Sequence, residues 1–180
     1  MAVEKPAIFT IGVYGSTEES FFGALFEHEI ELFIDIRARR GMRQSSPYKF
    51  VNSTALQKKL KELGIYYAHL KELAPTKEIR ALQWQADKEE QILKKDRTGL
   101  SAAYVKAYKK EILKYGKRRA DLILEPHKIL DRAKQLAEYP TDRPLQRYVL
   151  FCVEAQANAC HRSLVSGRFK EKLGGNIVHL

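Results

Sequence analysis

Cysteine and long apolar runs are both scarce in this sequence of 180 residues. Its two cysteines are too few for a disulfide framework, and no apolar run approaches the roughly 20 residues that cross a bilayer. Residues 1–15 contain an acid and a proline where a secretory signal needs a clean apolar stretch. We therefore expect a reduced, cytoplasmic protein with no membrane partner.

Several familiar motifs are also missing. The chain has no Walker A motif, no GxGxxG loop and no GxSxG elbow, which disfavours a P-loop ATPase, a standard dinucleotide site and an α/β-hydrolase. It has no CxxC pair, and the spacing of Cys152, Cys160 and His161 matches no usual zinc pattern. We therefore expect no metal and no cofactor; a zinc site made by these three residues with His69 is the alternative.

Acidic residues are outnumbered, because 32 Lys and Arg face 22 Asp and Glu and leave a net charge of +10. This excess favours a polyanionic partner, a phosphate-bearing small molecule or a nucleic acid. The basic residues form two clusters, which are Arg37, Arg39, Arg40, Arg43 and Lys49, and then Lys106, Lys109, Lys110, Lys114, Lys117, Arg118 and Arg119. Either cluster is a candidate nucleic-acid-binding surface, and a merely solvated basic face is the alternative.

Short apolar, β-branched runs alternate with helical patterns along the chain. Strands are predicted at 7–13, 30–36, 65–70, 148–153 and 176–180, with helices between them and a helical insertion between the third and fourth strands. This order predicts one α/β domain over residues 1–180, a Rossmann-like three-layer fold with a mostly parallel sheet of about five strands.

Three residue patterns locate individual helices more closely. Ser16 and Glu19 have capping-box spacing at the start of the first helix. Trp84 is the one large apolar side chain expected to anchor the charged segment from 76 to 97. Cys160 and the residues after it open the last long helix.

Polar residues stand at the end of every predicted strand before the last. In an open parallel sheet, ligands bind outside the carboxyl ends of the strands, so we expect these residues to converge on one edge. They are Thr10 and Gly12, then Asp35 and Arg37, then His69, then Cys152 and Glu154, followed by Cys160, His161 and Arg162 at the next helix start.

These residue types suggest roles, each with a structural alternative. Cys160 at a helix N-terminus is a candidate nucleophile, since the helix dipole favours a thiolate, but it also has the character of an inert buried cysteine. Glu154 is either a general acid/base or one half of a pair with Arg162 or Arg37. Cys152 is expected to pack in the core. The candidate catalytic residues are Glu154, Cys160, His161 and Asp35, and the candidate anion-binding residues are Arg37, Arg162, Thr10, Gly12, His69 and Ser46.

Five motifs in this order make the sequence similar to a known family. They are Thr10-Ile11-Gly12, Asp35-Ile36-Arg37 followed by Ser45, Ser46 and Pro47, Gly64-Ile65-Tyr66-Tyr67, Cys152-Val153-Glu154 and Cys160-His161-Arg162. The pattern resembles domain-of-unknown-function family 488, which often continues TIG with a His-Ser pair where this chain has Val13-Tyr14. The resemblance implies a compact Rossmann-like domain and leaves the reaction type open.

Three functions are compatible with these observations. The first is an enzyme whose strand-end crevice binds a phosphate-bearing ligand, a nucleotide or a nucleic acid. The second is a non-catalytic nucleic-acid-binding module that uses the two basic clusters. The third is a thiol-redox or metal-binding protein. The substrate and the oligomeric state are left open.

Overall fold

Five parallel strands form the centre of the structure, a computed structural model that describes residues 5–93, 96–113 and 125–180. The strands are β1 (Ala7–Ile11), β2 (Leu32–Asp35), β3 (Tyr66–His69), β4 (Arg147–Phe151) and β5 (Ile177–His179), in the sheet order β3-β2-β4-β1-β5. The α-helices of the described residues are α1 (Glu18–Glu27), α2 (Ser53–Glu62), α3 (Lys77–Glu89), α4 (Ala102–Glu111), α5 (Pro126–Leu136) and α6 (His161–Leu173).

The sheet is covered on both faces, because alternate residues of each strand point to opposite sides. In β4, Tyr148 and Leu150 pack in a core shared with α3 to α6, whereas Val149 and Phe151 pack in a second core with α1 and α2. The predicted three-layer, Rossmann-like α/β fold is therefore confirmed. The helical insertion between the third and fourth strands is also confirmed, as α3, α4 and α5.

The first helix begins one residue later than the Ser16–Glu19 pattern predicts. Thr17 caps it, with reciprocal hydrogen bonds between Thr17 and Ser20. Ser16 belongs instead to the turn that follows β1, where its hydroxyl donates to the carbonyl oxygen of Val13 at 2.6 Å.

The expectation that Trp84 anchors its segment is wrong, because this side chain is 80% exposed. The buried face of α3 instead carries Ile79, Gln83 and Asp87, which are spaced four residues apart and so share one side of the helix. Trp84 lies on an adjacent face, four residues after Arg80.

The junction of β2 and β4 is where the sheet topology opens a crevice. These strands are neighbours, but the chain leaves β2 toward β3 on one side and leaves β4 toward β5 on the other. Opposite departures of this kind mark the usual ligand-binding point of an open α/β sheet. Phe151 at the end of β4 is in register with Ile11 and with Asp35, so the strand ends are level there.

Gly12 allows the chain segments after β1 and β4 to approach one another closely. A Cβ atom at this position would lie inside van der Waals distance of the main-chain oxygen of Glu154 and 3.1 Å from Nη1 of Arg162. Glycine is therefore required by the close approach of the backbone.

No helix within the described ranges has both the length and the apolar character that a membrane span requires.

Replacing Gly12 tests this close approach. We expect Gly12→Ala to lower the free energy of unfolding by about 1–3 kcal/mol, since the new methyl group must displace main chain. Gly167→Ala in α6 is the matched control, because a Cβ there meets no atom within 4 Å, and it should be neutral or stabilise by up to about 1 kcal/mol. Denaturant unfolding measures the stability of both variants. Equal stabilities would contradict a close backbone approach at Gly12.

Candidate functional site

A cleft of about 470 Å³ lies at the carboxyl edge of the sheet, where the strand-end residues were expected to converge. Its floor is formed by Cys152, Cys160 and His161. One wall is the loop after β2, and the opposite wall comes from α3 and α4 of the insertion. The cleft continues past Tyr14 and Glu154 into a second space of about 460 Å³.

The floor brings two thiols and an imidazole together. Nδ1 of His161 lies 3.8 Å from Sγ of Cys152 and 3.7 Å from Sγ of Cys160. Nε2 of the same ring lies 3.1 Å from the carbonyl oxygen of Ile36 and must be the donor, because a carbonyl only accepts. This bond orients the ring so that Nδ1 faces the two sulphur atoms, with a lone pair when His161 is neutral and with an N–H when it is protonated.

The two thiols have opposite tendencies to ionise. Burial opposes ionisation of Cys160, but the hydrogen bond from the Cys152 thiol, His161 and the charge of Arg162 together lower the pKa of Cys160 well below its usual value. The same hydrogen bond and burial raise the pKa of Cys152 well above its usual value. Cys152 is therefore more than the packing residue that its apolar strand suggests, although it also packs in the core.

A buried ion pair supports the wall that follows β2. Arg37 is 3% exposed, and its Nε and Nη2 atoms donate to Asp35 at 2.9 and 2.7 Å. The Asp35 carboxylate also accepts from the main-chain N–H of Arg37 and from the Tyr67 hydroxyl, at 3.1 and 3.0 Å. Asp35 is fully buried by these contacts and does not line the cleft.

The guanidinium of Arg37 retains one unused donor. Its Nη2 also donates to the carbonyl oxygen of Val51 at 3.0 Å, and its central carbon lies 4.5 Å from the centre of the Phe151 ring. Its Nη1 is buried and has no hydrogen-bond partner among the described residues. Arg37 also lines the cleft.

Arg162 holds the loop after β4 rather than lining the cleft. It is 1% exposed, and its guanidinium donates to the main-chain oxygens of Glu154 and, at 2.8 Å, Ala155. These bonds fix the loop over Gly12. Glu154 itself lines the cleft.

Three other expected site residues make hydrogen bonds away from the cleft. His69 donates from Nε2 to the carbonyl oxygen of Arg37 at 2.8 Å, and Thr10 is hydrogen-bonded to Nδ1 of His179 at 2.6 Å. Ser46 accepts from the main-chain N–H of Tyr48 in the loop after β2. None of these three residues lines the cleft.

The fold places the residues of the two predicted basic clusters in different surroundings. Arg39 is exposed and lines the cleft, whereas Arg40 donates to the Tyr67 hydroxyl at 3.5 Å. The other basic candidates of the described residues are exposed away from the cleft lining, namely Arg43, Lys49, Lys106, Lys109 and Lys110. The rest of the second cluster lies outside the described residues, namely Lys114, Lys117, Arg118 and Arg119.

Sequence reasoning missed the wall contributed by the insertion. Arg80, Trp84, Arg97 and Tyr104 all line the cleft. Arg97 is held there by Asp87, which accepts from its Nε at 3.1 Å and from its Nη2. The only sequence signal for this wall was the i, i+4 spacing of Arg80 and Trp84.

The chain belongs to the family described as "Domain of unknown function DUF488", whose sequence model matches residues 17–169. The resemblance inferred from the five motifs is thereby confirmed. No curated protein and no solved structure matches the chain.

The buried ion pair leads to a stability prediction. Asp35→Asn should lower the free energy of unfolding by about 3–5 kcal/mol, because it leaves the Arg37 guanidinium buried without a counter-charge. The exposed Asp142→Asn is the matched control and should change stability by less than about 0.5 kcal/mol. Comparable effects in denaturant unfolding would mean that the Asp35 pair does not hold the wall.

Tyr67 makes the same cluster sensitive to alkaline pH. Burial and the Asp35 charge raise the pKa of Tyr67 to about 12, whereas tyrosine in an unfolded chain ionises near 10. The contribution of Tyr67 to the free energy of unfolding is complete below pH ~10 and is lost as the pH rises toward 12. The reason is that Tyr67 in the unfolded chain releases its proton at a lower pH than in the folded protein. The stability advantage of the wild type over Tyr67→Phe should therefore shrink across that window. A pH-independent difference in unfolding free energy would refute this account.

Proposed function

We propose that this chain is an enzyme that binds a phosphate-bearing ligand, a nucleotide or a nucleic-acid end, in the carboxyl-edge cleft and acts on it at the cleft floor. The observation that carries the proposal is the convergence of three features in one cleft. These are the buried Arg37 with an unused donor, an aromatic wall, and the cluster of Cys152, Cys160 and His161.

The charges around the cleft favour an anion. Asp35 holds Arg37 in place, so the Nη1 donor that no described residue uses would meet a ligand without losing side-chain freedom on binding. Arg39 and Arg80 are exposed at the rim, where cations raise the rate at which an anionic ligand arrives. Guanidinium groups are well suited to phosphate because their planar donors match its oxygens.

The opposite wall favours a planar ring. Trp84 is exposed beside Arg80, and Tyr104 and Tyr14 also line the cleft. Bases stack on exposed aromatic rings such as that of Trp84 with little dependence on sequence. The volume of about 470 Å³ falls in the range of small-molecule sites, and it fits one nucleotide rather than a duplex.

The floor supplies the groups that would act on the bound ligand. Cys160 and His161 are the reactive pair, a thiol and an imidazole in contact. Glu154 lines the same cleft and is the carboxylate for proton transfer. Asp35 acts through Arg37, and is a positioning residue rather than a catalytic one.

Fluorescence of Trp84, the only tryptophan of the chain, reports directly on ligand binding. We expect nucleotides to change its emission and Arg39→Ala to weaken binding about tenfold, equivalent to roughly 1.4 kcal/mol. Lys106→Ala removes the same charge from an exposed residue outside the cleft lining and should leave the affinity unchanged.

The same titration separates the proposal from a non-catalytic nucleic-acid-binding module. Suppose that single-stranded oligonucleotides bind, and that Lys106→Ala and Lys110→Ala lower the affinity for them as much as Arg39→Ala does. The binding surface is then α4, and the cleft proposal fails. Incubation of the wild type with the bound nucleotides, followed by mass spectrometry, tests for turnover. Cys160→Ser should keep the affinity and lose the product, whereas binding without any product would indicate a binding module.

A further inference from the structure

We propose that Cys152, Cys160 and His161 form a zinc site whose fourth coordination position faces the cleft. The two sulphur atoms and Nδ1 of His161 all lie within 4.8 Å of one another, and all three residues line the cleft floor. The site stands on this geometry alone. Only the idea that the metal acts on a cleft ligand rests on the proposed function. With zinc bound, Cys160 and His161 are ligands, and the metal takes the place of the thiol as the reactive centre of the cleft.

Both distances between Nδ1 and sulphur fit tetrahedral zinc. With a Zn–S bond of ~2.3 Å and a Zn–N bond of ~2.0 Å, a sulphur and a nitrogen ligand lie about 3.5 Å apart. The two observed separations between Nδ1 and sulphur are 3.7 and 3.8 Å. Zinc therefore requires adjustments of only a few tenths of an ångström on these two edges.

The imidazole is already prepared to coordinate through Nδ1. Metal-binding histidines almost always donate their other ring N–H to a carbonyl or carboxylate, which fixes the tautomer. His161 does this through its hydrogen bond to the Ile36 carbonyl oxygen, at the end of the neighbouring strand β2. Nδ1 is therefore the ring atom that remains to bind a metal, and it already lies beside both sulphur atoms.

The donor set selects the metal class. Two thiolates and an imidazole suit zinc, whereas magnesium and calcium prefer oxygen ligands. Two thiolates also neutralise a divalent cation, so the buried site would carry no net charge from the metal and its sulphur ligands.

The accessibility of the site indicates a catalytic rather than a structural metal. Structural zinc has four protein ligands, whereas catalytic zinc has three and keeps one position for water or substrate. The described residues offer three ligands here, and their cleft is also lined by Glu154. A metal at this position would polarise a ligand atom or acidify water within reach of the cleft.

Cobalt substitution tests the site without any cleft ligand. The full chain is purified under reducing conditions, stripped of metal and titrated with Co²⁺. We expect one equivalent to bind with a sulphur-to-cobalt charge-transfer band and strong tetrahedral visible bands, and Zn²⁺ to displace it. Since the chain has only two cysteines, Cys152→Ser and Cys160→Ser should each weaken or abolish the bands. His127→Gln, on an exposed helix position, should keep them.

A second measurement on the wild type avoids variants that fold poorly. One equivalent of Zn²⁺ should slow alkylation of both cysteines at least tenfold relative to the metal-free chain. A folded, reduced wild type that gives no cobalt bands and no protection would overturn the proposal. Arg39→Ala should leave the cobalt spectrum intact, so failure of nucleotide binding and failure of the metal site are separate results.

Discussion

The buried guanidinium of Arg162 holds the part of the structure on which the site depends. It ties the main-chain oxygens of Glu154 and Ala155 to the start of α6, while Gly12 leaves room for the same loop to lie against the end of β1. The chain between Cys152 and Cys160 is thereby folded into a tight loop. Because one cysteine follows a strand and the other caps a helix, this loop is what brings their side chains together.

A second buried arginine serves the opposite side of the cleft in a different way. Burying a charge is costly unless it is paired, and Asp35 pairs with Arg37 through two hydrogen bonds while Tyr67 occupies the remaining side of the carboxylate. The pair fixes the orientation of Arg37 over Phe151 and leaves Nη1 unused. Arg162 therefore shapes the loop, and Arg37 presents charge to the cleft.

The strand ends could be predicted from the sequence because their positions follow from local patterns. Apolar runs ending in Asp35, His69 and Glu154 indicate parallel strands, and parallel strands end at one edge. The sequence also located Cys160 at the start of α6. The sequence could not show which of these residues line the cleft, because Arg162 and Asp35 are as polar as Glu154. Only the folded structure shows that Glu154 is part of the lining and that Arg162 and Asp35 are not.

Two features could not be predicted because they depend on contacts between distant segments. The wall of Arg80, Trp84 and Tyr104 exists only because α3 and α4 fold back over the strand ends, and Trp84 looked like a core residue in isolation. The thiol–imidazole cluster joins residues separated by a loop of irregular structure, so its spacing resembles no zinc motif. A crystal structure of the chain grown with a nucleoside monophosphate tests the central claim most directly. The account predicts the phosphate against Arg37 and Arg39 with the base against Trp84; a nucleotide bound on the outer surface of α4, with the cleft empty, would contradict it.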